Sequence, residues 1–230
     1  MEGRVQDFIR ALAARRRVLV LGGHAVIHHG LSRETKDADV WLEPGSDAGV
    51  WAGLLAEICA DFPEGYLWDL AARERVAPEH LPALIEDLGV VRVGGLNLPL
   101  DIFRRPNNLN EADFDAAWHE ARTLIDEKGL RVMDDVDLIV TKENTPREGD
   151  RQDITFLEGR IRGRLAPLLA QCPPEQARAI FARYADHVTC EAALKNPHPE
   201  VRALALETLR EFAAAQNPFA REILQSLGEN

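Results

Sequence analysis

The stretch Leu21–Leu42, LGGHAVIHHGLSRETKDADVWL, constrains the fold more than any other part of the chain. A short bulky run, Val18–Leu21, ends in Gly22-Gly23, which is the pattern of a buried strand feeding a tight turn. A short helix is expected over 24–30, with Gly30 suited to its cap. The chain then delivers Asp37 and Asp39 at the start of a second strand, Asp39–Leu42, stopped by Glu43-Pro44-Gly45. Alternate residues of a strand share a face, so this spacing sets two carboxylates side by side at one sheet edge. Like charges that close are costly unless a cation neutralises them, and hard oxygen ligands of this kind suit Mg²⁺. The Gly-Gly turn lets backbone N–H groups approach a phosphate, with a helix start behind it. The plainer alternative is that Asp37 and Asp39 form a solvated strand start.

A third carboxylate fits the first two. Asp101 interrupts the apolar run Leu98–Phe103, LPLDIF, and a lone Asp in such a run needs a strong reason. Asp37, Asp39 and Asp101 together make a three-carboxylate site for one or two divalent cations, the arrangement that supports in-line displacement on a triphosphate. Alternatively Asp101 is a turn residue paired with the adjoining Arg104-Arg105. His24, His28 and His29 are spaced i, i+4 and i+5 without a partner carboxylate motif, which is not a zinc signature. Arg15-Arg16-Arg17 reads as the basic last turn of the first helix.

Around this stretch the pattern predicts a helix over 3–16, an amphipathic helix over 47–60 opened by Ser46 or Asp47, and a helix over Glu79–Leu88. Gly89–Val93, then Gly94-Gly95, then Leu96–Phe103 reads as a hairpin. A helix over 110–119 follows, then a second small hairpin, Arg122–Asp126 with Leu130–Met133, around an EKG turn. Helices over Asp134–Lys142 and Gly149–Arg164 are joined by a loop containing Pro146. The expected class is α/β (α+β), a mixed sheet flanked by helices over residues 1–164, with an all-helical C-terminal region over 165–230. Within the latter, PHPEVRALALETLREFA resembles a single HEAT-like helix, which cannot bury its own face unaided.

Composition narrows the function classes. The 230 residues carry a formal charge of −11, and the imbalance is local: residues 1–159 are net −12, and 160–230 net +1. Most of that charge reads as solubility, and it argues against a protein that grips a long nucleic acid through bulk positive charge. The three cysteines, Cys59, Cys172 and Cys190, form no CxxC, which suits a reduced cytoplasmic protein. The apolar run near the N-terminus is roughly six residues long, too short for a signal core or a span, so no membrane association is expected.

The order strand, Gly-Gly, helix, Arg-x-Thr, DxD, and a later lone Asp in a strand resembles the nucleotidyltransferase superfamily built on the DNA polymerase β-like core. It looks most like the small bacterial abortive-infection and toxin–antitoxin nucleotidyltransferases. The segment RTLIDEKGLRVMDDVDLIVTKENTPREGDRQDITFLE is similar to that family's second block, a hairpin, a helix with Lys142, a loop, and a helix carrying Arg151 and Asp153. The match covers roughly residues 15–160. The resemblance implies that Gly22 and Gly23 contact triphosphate beside Arg33 and Thr35. It implies that Asp37, Asp39 and Asp101 are catalytic and bind Mg²⁺ (or Mn²⁺), with Asp101 helping to activate the acceptor hydroxyl. Lys142 and Arg151 would offset phosphate charge. The implied activity is transfer of a nucleoside monophosphate from an NTP such as ATP to a hydroxyl of a protein, an RNA end such as tRNA, or a small molecule. The alternative is a catalytically inactive nucleotide- or partner-binding module, such as one component of a toxin–antitoxin pair.

Overall fold

The computed structural model describes residues 4–45, 47–124, 128–145 and 147–229. The chain divides into two compact units, 1–154 and 155–230. The sequence reading set its boundary after residue 164; the division falls inside one continuous helix, α7 (Glu148–Leu169), which runs on through Pro167.

The first unit is built on an eight-stranded mixed sheet. Its strands are β1 (Val18–Leu21), β2 (Ala38–Leu42), β3 (Tyr66–Asp69), β4 (Glu74–Arg75), β5 (Val90–Gly94), β6 (Leu100–Phe103), β7 (Arg122–Thr123) and β8 (Leu130–Val132). Their spatial order is β4-β3-β5-β6-β2-β1-β8-β7. β1 pairs antiparallel with β2, bringing Leu21 opposite Asp39. β2 pairs parallel with β6, bringing Asp39 opposite Asp101. β5 and β6 form the expected hairpin, with Val93 opposite Leu100. β7 and β8 pair antiparallel as expected, although residues 125–127 of their connection lie outside the described residues, as do Ser46 and Pro146. Residues 62–77, ambiguous in sequence, supply β3 and β4.

Alternation along the strands gives the sheet two chemically different faces. Val18, Val40, Leu42, Val91, Val93, Leu100 and Ile102 are buried in one hydrophobic cluster. Into it pack Val5, Phe8, Ile9 and Leu12 of α1 (Arg4–Ala13), Trp51, Leu55 and Ile58 of α3 (Ala48–Ala60), and Leu81 and Ile85 of α4 (Leu81–Leu88). The intervening residues Asp39, Asp101 and Arg92 share the other face. α3 starts where Asp47 accepts a hydrogen bond from the Val50 N–H at 2.8 Å, a side-chain N-cap. α2 (Gly22–His28) begins at the glycines themselves, two residues earlier than the sequence suggested. α5 (Phe114–Glu120), α6 (Asp135–Lys142) and the start of α7 also belong to this unit.

The second unit contains the rest of α7 and four helices, α8 (Pro174–Arg183), α9 (His187–Ala193), α10 (Pro199–Ala214) and α11 (Pro218–Ser226). Leu169, Ala177, Cys190, Val201, Ala205, Leu209 and Ala220 form its core. Buried Asn196 ties the loop before α10 down, donating from Nδ2 to the carbonyls of Leu169 and Cys172. The three cysteines are free. Among the described residues no helix is long and apolar enough to cross a membrane.

Candidate functional site

Gly22 has φ +59°, and a Cβ built on it would lie 1.9 Å from Oδ2 of Asp39. No side chain fits between the β1–α2 turn and that carboxylate. A Cβ on Gly23 would meet Thr35 Oγ1 at 2.6 Å and Arg33 Nη2 at 2.9 Å. The two glycines therefore let the turn close on Asp39, Thr35 and Arg33, so the close approach visible here is to protein side chains. The Thr35 hydroxyl donates in turn to the Asp37 carbonyl at 3.2 Å.

Asp39 and Asp101 are register partners on adjacent parallel strands, and Asp37 lies two residues before Asp39. Burial pushes the Asp39 carboxyl up to about 7, and the negative charges of Asp37 and Asp101 add to it; Lys142 and Arg92 pull the other way. Asp101 is buried and does not pair with Arg104 or Arg105. Arg104 bridges Glu86 and Glu111, and Arg105 donates to the carbonyls of Glu86 and Asp87. The partner of Asp101 is Arg92, which donates from Nε to Oδ1 at 2.6 Å and from Nη2 to Oδ2 at 2.7 Å. Arg92 was missed in the sequence, although the hairpin carried the signal: pairing Val93 with Leu100 forces Arg92 opposite Asp101. Among the described residues no group of three or more His, Cys, Asp and Glu side chains is arranged to hold a metal ion.

Beside the acids lies a buried ionic network. Asp153 is fully buried on α7, and its Oδ2 takes Arg33 Nη2 at 2.7 Å and Lys142 Nζ at 2.8 Å. Lys142 also reaches Asp150 Oδ1 at 2.9 Å, and Thr145 donates to Asp150 Oδ2 at 2.9 Å. Arg33 and Lys142, some hundred residues apart in sequence, thus meet on one carboxylate. Arg151 does not join them as an anion ligand would. It is exposed and pairs with Glu148 one turn earlier, while Asp150 and Asp153 take the inward side of the helix. Asp150 and Thr145 carried no sequence signal beyond their spacing from Asp153.

A cleft of about 700 Å³ opens next to Asp39. Val5 and Ile9 of α1, Val20, Leu98 and Val132 line it together with the polar side chains of Gln6, Arg10, His24, Asp39 and Asn97. Burial lowers the His24 pKa, with Arg33 adding to the effect against Asp37. The imidazole is therefore neutral at pH 7. Its Nε2 is buried without a hydrogen-bond partner among the described residues.

No family model matches the chain, and no curated protein matches it. Among solved structures, JHP933 from Helicobacter pylori is similar over 94% of this chain and 99% of its own, at 14% identity and a TM-score of 0.35.

Proposed function

We propose that the protein is a divalent-cation-dependent nucleotidyltransferase. It would transfer a nucleoside monophosphate from an NTP to an acceptor hydroxyl and release pyrophosphate. One observation carries the reading: the β1–α2 turn closes on Asp39, and the Arg33–Asp153–Lys142 network stands beside the same carboxylates. Triphosphate chemistry needs carboxylates, a close backbone turn and fixed cations gathered in one place.

The donor set suits a hard divalent cation. Asp37 and Asp39 supply carboxylate oxygens, and burial, with the negative charges of Asp37 and Asp101 added, raises the Asp39 pKa. Mg²⁺ or Mn²⁺ held there would add Lewis-acid stabilisation of phosphoryl oxygens. The chain's own residues do the rest. Asp153 holds Arg33 and Lys142 on one carboxylate oxygen, so their side chains are fixed in place beside the acids. Thr35 and the glycines set the shape of the turn. The cleft that Asp39 lines has room for the nucleoside or for the acceptor. The acceptor is a hydroxyl of a protein, an RNA end such as that of tRNA, or a small molecule, and the setting we propose is the cytoplasm.

The experiment is a thermal-shift series with each NTP, with and without Mg²⁺ or Mn²⁺, followed by label transfer from α-labelled NTP. Stabilisation by an NTP in the presence of the cation that exceeds the effect of the cation alone, lost in Asp37→Ala and Asp39→Ala, is the expected result. Absence of stabilisation by every NTP rejects the reading. Binding without transfer to any acceptor favours an inactive nucleotide-binding module, such as a toxin–antitoxin component.

A further inference from the structure

β3 alternates across the sheet. Leu67 enters the hydrophobic core, so Tyr66 and Trp68 on either side of it turn to the face that carries the carboxylates. Register sets them in line with the site. Arg75 of β4 faces Trp68, Trp68 faces Arg92, Arg92 faces Asp101, and Asp101 faces Asp39. The Tyr66 ring lies against Gly94, where a Cβ would meet it at 2.5 Å. Arg75, itself exposed, holds its guanidinium 4.1 Å from the centre of that ring. The Tyr66 and Trp68 rings meet edge to face at 6.0 Å between centroids, and both remain partly exposed. Two aromatic side chains and a guanidinium thus make a π-rich shelf, the kind of surface on which nucleobases stack.

The triphosphate fixtures of the proposed reaction lie at one end of this line. The glycine turn and Arg33 belong to the β1 side of Asp39, and Lys142 shares a carboxylate with Arg33. The shelf lies on the other side, three strand spacings from Asp39, or about 14 Å. A small acceptor with its hydroxyl at the carboxylates ends short of it. A single strand of nucleic acid reaches it within roughly four nucleotides, at about 3.4 Å of rise each. Stacking also supplies affinity that does not depend on bulk positive charge, which a chain of net charge −11 lacks. We infer that the acceptor is the end of a single-stranded polynucleotide, whose bases behind the reacting hydroxyl stack on Trp68 and on the Tyr66–Arg75 pair. This rests on the nucleotidyltransferase reading above and selects one of its three acceptor classes.

The test is fluorescence polarisation of a fluorescein-labelled single-stranded RNA of about eight nucleotides, with Mg²⁺ and the full chain. Wild type is expected to bind it, and inorganic polyphosphate of the same charge should not displace it. Trp68→Leu should weaken binding about tenfold or more, and Trp68→Phe, which keeps a ring, should stay within about threefold of wild type. Arg75→Gln should weaken it about threefold. No binding by wild type, equal displacement by polyphosphate, or a folded Trp68→Leu variant that binds as wild type does overturns the inference. Displacement of the RNA by ATP gives the shelf to the donor base and overturns it too, as does label transfer from NTP to a protein side chain with RNA left unlabelled. None of these outcomes touches the nucleotidyltransferase reading, which its own melt with NTP and cation decides. If Trp68→Leu does not fold, Arg75→Gln on the exposed edge strand and the polyphosphate competition decide together.

Discussion

Asp39→Asn should stabilise the metal-free protein, and by an amount that depends on pH. The Asp39 carboxyl titrates at about 7 in the folded chain against an ordinary value of 3.8. Between those values the folded state binds the extra proton, so stability falls as pH rises through the window. Each tenfold change in proton affinity is worth about 1.36 kcal/mol, which sets a ceiling of about 4 kcal/mol on the cost of ionising this group above pH 7. Local relaxation and the poorer fit of a carboxamide against Gly22 reduce the gain, so about 2 kcal/mol is expected at pH 8, or roughly 4–8 °C in Tm for a chain of this size. Trp41, Trp51, Trp68 and Trp118 all lie in the first unit, so tryptophan fluorescence reports its melting separately from the second. With chelator present, the Tm difference between variant and wild type should be near zero at pH 4 and grow steadily to pH 8. Saturating Mg²⁺ should raise the wild-type Tm at pH 8 and leave the variant unchanged. A difference that is flat with pH, or a variant less stable than wild type at pH 8, would refute the argument that burial and like charges strain this carboxylate.

Three further outcomes follow from the same geometry. Gly22→Ala puts a Cβ into Asp39 at a positive φ, and should lower stability by about 2–4 kcal/mol; adding Asp39→Ala should recover part of the loss in a double-mutant melt. Asp153→Ala strands Arg33 and Lys142 without their shared carboxylate; a cost of about 3–5 kcal/mol is expected in urea unfolding, whereas Arg151→Ala on the exposed side should change stability by less than about 0.5 kcal/mol. In the second unit, Asp186 caps α9 through the Thr189 N–H and takes Arg162 and Tyr184, and these bonds hold its carboxyl below the ordinary range against burial. Asp186→Ala should cost about 1–3 kcal/mol at pH 7. The wild-type advantage should shrink as pH falls below about 4, where the carboxyl protonates; far-UV circular dichroism melts at pH 3 and 7 measure both.

What the sequence settled was local. The strand, glycine pair, helix and DxD of Leu21–Leu42 were legible because each element is set by a short-range pattern of bulk, turn residues and alternation. The β5–β6 hairpin was legible for the same reason, whereas the placement of Asp101 beside Asp39 comes from the long-range parallel pairing of β2 with β6. Tertiary structure decided the partners. Arg33 and Asp153 are 120 residues apart, and no periodicity relates them. Arg92 replaced Arg104 and Arg105 as the partner of Asp101 because antiparallel register, not sequence proximity, selects who faces whom across a sheet. Arg151 and Asp153 parted because one helix carries both: Asp153, Leu157 and Ile161 follow its buried side at four-residue steps, and Arg151 falls outside that stripe. A motif specifies which residue types a site needs; the register of its strands and the phase of its helices determine which of them can touch.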